Sequence, residues 1–567
     1  MLQLPDYIVF VCYFLLVAFY GYYIYNKKKS KSKPESSTDF FLAEGSLTWW
    51  AIGASIIASN ISAEQFVGMS GNGFRLGLAI SVYEWTGAVG LIIVAVFFIP
   101  IFLKNKIYTM PQFLQKRYNK EVGLIMAVFW LFLYVFVNLT SILFLGTIAL
   151  SNLVGDGYFH LVMVSLAVAG LIITIGGMKV IGYTDVIQVF FLITGGLATT
   201  YLALTLVSQK FGMGGNVFAG FNELLNQAPE HFKMIFSKPA ANATSEEVSR
   251  YLSLPGIAMM VGGMWVANLN YWGCNQYITQ RALGADLETA RTGILFSAFL
   301  KLLMPLIVVV PGIAAYVLYQ EGELQQQMFT QGVFREDNAY AAILNFLPVG
   351  LKGLSLAALT AAIVASLAGK ANSIATIFTL DIYKKYLNEN ASEEKLIWIG
   401  RIVVLLAIAI AIIVNWNDSI GIGGKGGFEF IQKYTGFVSP GILAVFLLGF
   451  FWKRTTSLAA FFGIIGSLIL SVIFDKFLVD WVGRETIWYT AYPDINGIYI
   501  IPFLISMGWV FLYTIVLMVM ISLVFPEKIN TEPQIIVTKD MFRVSSMSWI
   551  LIAIILSVLT ALYIRFW

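Results

Sequence analysis

Apolar residues dominate this chain in runs too long and too continuous for strands, separated by short polar interruptions. Runs long enough to span a bilayer fall at 6–26, 49–72, 77–103, 124–154, 158–176, 183–207, 254–281, 290–320, 345–383, 397–415, 428–452, 456–475, 498–525 and 546–566, about fourteen in all. They lack the alternation that a membrane barrel needs, so the backbone must satisfy itself as helix. The pattern predicts an all-α integral membrane protein with about 14 transmembrane helices. The longest interruptions are 208–253 and 321–344 on one side and 27–46 and 526–545 on the other, none long enough for an independent enzyme domain. The chain reads as one transmembrane domain over 1–567.

Two runs depart from the plain apolar pattern. The second carries the polar stretch SNISAEQ (59–65) where a lipid-facing helix would carry Leu or Val. The seventh opens with LPGIAMMVGG (254–263), whose Pro255 and three glycines weaken regular helix, then continues as WVANLNYWGCNQY. Discontinuous helices are predicted in both, with the seventh broken near its start. Broken helix at membrane depth is tolerated where the freed carbonyls line a cavity or bind an ion, which points to a transport site.

Composition agrees: 58% of residues are apolar and 12% charged. The first run lacks a small-residue cleavage site and is followed by the basic stretch NKKKSKSK, so it is read as a retained helix. Alternating the loops from there puts about 22 of the 36 Lys/Arg on one side, which is assigned to the cytoplasm, with both termini outside. A net charge of +4 follows from that bias and calls for no nucleic-acid partner. Cys12 and Cys274 fall within apolar runs and read as buried thiols; His160 and His231 are too few for a metal cluster.

Ionisable residues inside apolar runs cost about 2.5–3.5 kcal/mol each on insertion scales, so each needs a partner or a task. Glu84, Asp185, Lys301 and Lys370 are such residues. Glu84 and Lys301 could form a net-neutral pair suited to a neutral substrate; a purely structural pair with Glu84 snorkelling to the interface stays open. Asn268, Tyr271, Trp272 and Asn275 are spaced i, i+3, i+4, i+7, a face of amides and aromatics. Sugars ask for that mixture, with amides and charges for hydroxyls and a ring for the C–H face, though helix packing could also use it. The glycine-rich GMSGNGF (68–74) and GIGGKGG (421–427) follow no strand, so nucleotide binding is discounted; a tight turn and an entry to the eleventh run are expected.

The chain resembles the solute:sodium symporter family over nearly its whole length. The resemblance is carried by DFFLAEGSLTWWAIGASIIASNISAEQFVGMSG (39–71), IYTMPQFLQKRY (107–118), FVNLTS (136–141), GGMKVIGYTDVIQVFF (176–191), WVANLNYWGCNQYITQR (265–281), NSIATIFTLDIYKKY (372–386) and YTGFVSPGILAVFLLGFFWKRTT (434–456). It implies a LeuT-like five-plus-five inverted repeat: a first helix and cytoplasmic loop (1–46), repeats over 47–207 and 254–452, and C-terminal helices over 453–567. Among the family's sugar carriers, it implies Asn60, Gln65, Glu84, Asn268, Lys301 and Gln432 as sugar-binding groups. Tyr271 is implied as the ring stacked on the sugar, hydrogen-bonded to Asn138, with Trp272 beside it. Met69, Tyr83 and Phe428 match an outer hydrophobic gate, and Gly87 replaces a hydroxyl residue.

The implied sodium site takes carbonyls and a hydroxyl from Ala58, Ile61, Ala362, Ala365 and Ser366, with Asp185 on the inner exit path. Ala365 replaces a serine, which removes a side-chain oxygen. Lys370, one turn beyond Ser366, replaces an apolar residue; a Lys370–Asp185 pair is expected to soften its repulsion of sodium. The function implied is sodium-coupled symport of a neutral hexose, galactose or glucose, across the bacterial inner (plasma) membrane, with sodium as the co-transported ion and no enzymatic chemistry. Symport of another polar solute such as inositol, sialic acid or proline, or a sugar sensor or uniporter with weak coupling, stays open.

Overall fold

The structure is a computed structural model that describes residues 3–29, 47–62, 64–175, 177–240, 242–330, 333–417, 419, 427–527 and 535–567. The second half of the basic stretch after the first run, the GIGGKGG segment apart from Gly427, and residues 528–534 of the last long interruption lie outside the described residues. The apolar runs are mainly helical among the described residues, with interruptions inside several of them. Among the described residues, ten helices are long and apolar enough to cross a membrane, or up to twelve when two bent pairs are each taken as one span. Strand among the described residues is confined to two ribbons, Phe329–Thr330 with Val333–Phe334 and Tyr492–Pro493 with Tyr499–Ile500.

The helix Trp49–Asn60 of the second run lies at the centre, buried from Ala51 to Asn60. Glycines let it sit there: a Cβ on Gly53 would meet the Gly293 carbonyl at 2.7 Å and the Phe296 ring at 2.6 Å, and a Cβ on Gly293 would meet the Trp49 carbonyl at 2.8 Å. Small residues at such crossings let two backbones approach where no hydrophobic force drives helices together in lipid. The long helix Gly177–Lys210 packs on the helices Leu351–Thr376 and Met304–Gln320. Gly196 does the same work there, its Cβ position lying 2.1 Å from Ile307.

The second run breaks after Asn60. Ile61 takes φ −81° and ψ 83°, outside the helical region, and the Ser62 amide turns back to the Asn60 carbonyl at 3.0 Å. Ser62 Oγ then accepts from the Glu64 amide at 3.1 Å and caps the restart. That restart, Glu64–Met69, is a widened π-type turn, a distortion that often marks functional sites.

The seventh run breaks twice. Ser245–Val261 and Gly263–Gly273 meet at 80° around Gly262, inside the LPGIAMMVGG stretch. The glycines there are required by contact: a Cβ on Gly263 would lie 2.0 Å from the Leu504 carbonyl. A second interruption at Cys274 and Asn275 precedes Gln276–Leu283.

Several sequence expectations need correction. The GMSGNGF segment is helix rather than turn, and its glycines permit close packing, Gly68 on Phe428, Gly71 on Asp337 and Gly73 on Val309. The turn comes at Gly77, whose φ of 71° suits glycine. Asn275 does not share a face with Asn268, because the helix ends at Gly273 and Asn275 caps the next one, accepting from the Tyr277 amide at 3.1 Å. Cys12 is exposed on the first helix, whose apolar surface faces outward; Cys274 is buried.

At one end of the bundle Arg75 ties four segments together. Its guanidinium donates to Glu429, to Ser249 at 3.2 Å and to Ser253 at 3.1 Å, and it pairs with Glu336 at 3.2 Å.

Gly53→Val is expected to lower the melting temperature in detergent by several degrees, because overpacking against the Gly293 backbone costs about 3 kcal/mol. Gly157→Ala, where a Cβ meets nothing within 4 Å, should leave melting unchanged. Equal melting of the two variants would show that the Gly53 crossing is slack.

Candidate functional site

One cavity gathers side chains that stand far apart in sequence. It is lined by Asn60, Gln65, Glu84, Asn268, Tyr271, Trp272, Lys301 and Gln432, with Glu64 beside them. These residues sit where helices end or restart. Asn60 closes one helix and Gln65 opens its continuation. Lys301 is the last residue of Leu287–Lys301, cut off from the next helix by Pro305 in that helix's first turn. Helix ends leave backbone groups and side chains free to face a cavity, which a continuous helix does not.

The centre is a buried ion pair. Lys301 donates to the Glu84 carboxylate and to Asn60 Oδ1, and the two charged side chains are 1% and 2% exposed. The ammonium also lies 4.8 Å from the centre of the Trp272 ring. Asn60 Nδ2 donates to the Tyr271 hydroxyl at 3.3 Å, Trp272 Nε1 donates to Asn268 Oδ1 at 3.2 Å, and Asn268 Nδ2 donates to the Met264 carbonyl at 3.1 Å. Gln65 Oε1 is buried without a partner among the described residues, an acceptor aimed at the cavity. Tyr271 and Trp272 present rings at 85° to each other, with centres 4.9 Å apart. The site therefore offers donors, acceptors and aromatic faces around a Glu84–Lys301 pair that carries no net charge of its own.

Tyr83 and Phe428 line the same cavity, edge to face with ring centres 5.2 Å apart. Phe428 packs on Gly68, where a Cβ would come within 2.8 Å of it. Met69 is fully buried and does not line the cavity. Gly87 backs the Asn268–Trp272 pair, each of whose bonded atoms lies 3.0 Å from the position a Cβ would take.

Below this group the break in the second run frees backbone oxygens. The Ser62 amide turns to Asn60 instead of Ala58, and the Gln65 amide to Ser62 instead of Ile61, so the Ala58 and Ile61 carbonyls lose their usual helical donors. Ser366, fully buried on the helix Leu351–Thr376, faces them: its Oγ lies 3.2 Å from the Ser59 carbonyl and 3.5 Å from that of Ala58. Ala362 and Ala365 are buried on that helix. Carbonyls and one hydroxyl are the hard oxygen ligands that an alkali cation prefers. Among the described residues no group of three or more His, Cys, Asp or Glu could hold a metal.

Two expected pairings differ. Asn138 accepts from Lys370 Nζ at 3.1 Å, while Tyr271 is bonded to Asn60. Lys370 does not pair with Asp185; Asp185 accepts from Ser55 Oγ at 2.5 Å, and Ser55 is in turn held by Arg281 Nε at 3.0 Å. The longer Arg281 reaches this carboxylate's partner from the seventh run, whereas Lys370 lies against tyrosine rings.

Sequence reasoning passed over Glu64, Tyr134, Tyr277 and Arg281. Glu64 stood in the SNISAEQ stretch as an intramembrane carboxylate, and Arg281 closed the motif WVANLNYWGCNQYITQR, so charge within an apolar run was the available signal. Tyr277 donates to the Ser59 carbonyl at 2.5 Å, a role only the folded chain reveals.

Helices broken around a buried, neutral cluster of polar side chains, beside oxygens fit for a cation, define a multi-pass membrane transporter. The pattern of the Sodium:solute symporter family matches residues 40–466, and the chain belongs to that family. It is 43% identical to the Sodium/glucose cotransporter of Vibrio parahaemolyticus across all of this chain and 99% of that one. It is 31% identical to the human Sodium/myo-inositol cotransporter 2, over 85% of this chain and 71% of the relative. A solved Na+-coupled sialic acid symporter in a substrate-bound outward-open state shares the fold, with a TM-score of 0.73 at 20% identity over 93% of this chain and 100% of that one. The chain is a transporter rather than an enzyme.

Removing either partner of the central pair leaves the other charge buried, a loss of about 3–5 kcal/mol. Lys301→Met and Glu84→Gln should each lower the melting temperature in detergent, and the double variant should recover part of it. A double variant no more stable than the worse single one would show that the two charges are not coupled.

Proposed function

We propose that this protein carries a neutral hexose, glucose or galactose, into the cell together with sodium. The observation that carries the reading is the buried Glu84–Lys301–Asn60 cluster facing Gln65 and Trp272 in one cavity. A polyol can exchange its hydroxyls for these hydrogen bonds and lay its C–H face on a ring, while an anionic substrate would meet Glu84 without a dedicated counter-charge. Lys301 and Glu84 open toward the sugar and bond to it in place of each other. The sodium/glucose relative supports this choice over inositol and sialic acid.

Sodium takes the carbonyls of Ala58, Ile61 and Ala362 with Ser366 Oγ. Ala365 contributes no side-chain oxygen, and Asp185 lies on the ion's way out. Sodium bound there steadies the two halves of the second run and with them Asn60 and Gln65, so ion and sugar each favour the other's binding. Two five-helix repeats, 47–207 and 254–452, rock about this region, with Met69, Tyr83 and Phe428 as the outer gate and Tyr271 as the inner one. Arg75 and its partners then lie on the outer face and latch that gate.

The 17-residue apolar helix Phe159–Ile175 and a separately counted second run bring the spans to fourteen, with both termini outside the bacterial inner membrane.

Radiolabelled glucose and galactose uptake into proteoliposomes tests the reading. An inward sodium gradient should drive accumulation above the outside concentration, and Gln65→Ala or Gln432→Ala should cut uptake about tenfold or more, the scale of one buried hydrogen bond. Uptake that merely equilibrates, with or without the gradient, contradicts symport.

A further inference from the structure

The ion site described above has a charged neighbour that sodium coordination does not require. Lys370 is 3% exposed on the helix Leu351–Thr376, one turn beyond Ser366. Its ammonium donates to Asn138 Oδ1 at 3.1 Å and lies 4.0 Å from the ring centre of Tyr277, 4.9 Å from that of Tyr134 and 6.0 Å from that of Tyr271. These rings are themselves anchored. Tyr277 is bonded to the Ser59 carbonyl at the helix break, Tyr134 to Asn275, and Tyr271 to Asn60 of the sugar cavity.

The charged groups around Lys370 complete the arrangement. From the second run Glu64 faces it electrostatically, and one oxygen of that carboxylate is buried without a hydrogen-bond partner among the described residues. From the seventh run Arg281 lies over the same Tyr277 ring, 4.8 Å from its centre. From the sixth run Asp185 is held by Ser55. Lys370 thus touches or faces groups of the second, fourth and seventh runs beside the break, as a bound cation there would. Position 365, which could have added a ligand oxygen, is alanine.

We propose that Lys370 is a tethered cation. Its ammonium supplies, from within the chain, much of the positive charge that the freed carbonyls and Glu64 would otherwise draw from sodium. Sugar binding therefore depends weakly on sodium, and sodium is held loosely. Two unit charges one to two helical turns apart, about 5–11 Å, repel enough at an effective dielectric constant of about 20 to shift binding tenfold or more. The inference rests on the sugar reading above.

Equilibrium binding of radiolabelled glucose to the purified transporter, in sodium and in choline, tests it. The wild type should bind in choline within about fivefold of its affinity in sodium. Lys370→Met should weaken binding in choline about tenfold or more and lower the half-saturating sodium concentration to a similar degree, while Lys370→Arg should keep the wild-type pattern. Wild-type binding that vanishes in choline overturns the proposal, a result that needs no variant to fold, and so does Lys370→Met binding unchanged in both media. No binding of glucose in either medium removes the sugar assignment and the proposal with it.

Discussion

A backbone carbonyl or amide inside a membrane has no water to turn to, so a helix can be interrupted there only if something else takes its hydrogen bonds. The interruption after Asn60 meets that condition locally. Ser62 caps the restart, the Tyr277 hydroxyl takes the Ser59 carbonyl, and Ser366 approaches from the opposite helix. The carbonyls left over are the resource from which an ion site can be built. The same break swings Asn60 and Gln65 toward the cavity, so the freed carbonyls and the cavity share one structural element.

Charge is balanced in separate compartments. Glu84 and Lys301 neutralise each other within the cavity. Around the break, Arg281 and Asp185 meet through Ser55, and Lys370 and Glu64 face each other. Desolvating an isolated charge costs several kcal/mol, so each ion is tolerable only because of its neighbour. A neutral sugar can enter such a site without disturbing this balance; a mobile cation cannot, and its binding must be felt by every charge around the break.

Much of this was legible in the sequence because intramembrane polarity is expensive and therefore conspicuous. The apolar runs announced helices, SNISAEQ announced the break, and Asn60, Gln65, Glu84, Asn268, Lys301 and Gln432, named from the resemblance, line one cavity. Pairings were less legible. Lys370 and Asp185 looked like natural partners, yet Arg281 claims the carboxylate's partner and aromatic rings take the lysine. Periodicity misplaced Asn275, since a helix can end at Gly273 without any proline to announce it. The glycine-rich GMSGNGF was misread as a turn because close backbone packing and left-handed φ call for the same residue; only the neighbours in space tell them apart.

The claim at the centre is that a cation crosses the membrane with each neutral sugar through one shared break. Electrical recording from transporter-containing membranes on a solid support tests this most directly. Adding glucose in sodium should produce a positive current toward the sugar-receiving side, absent for a sugar the protein does not carry. Glucose transport without any such current would contradict the account.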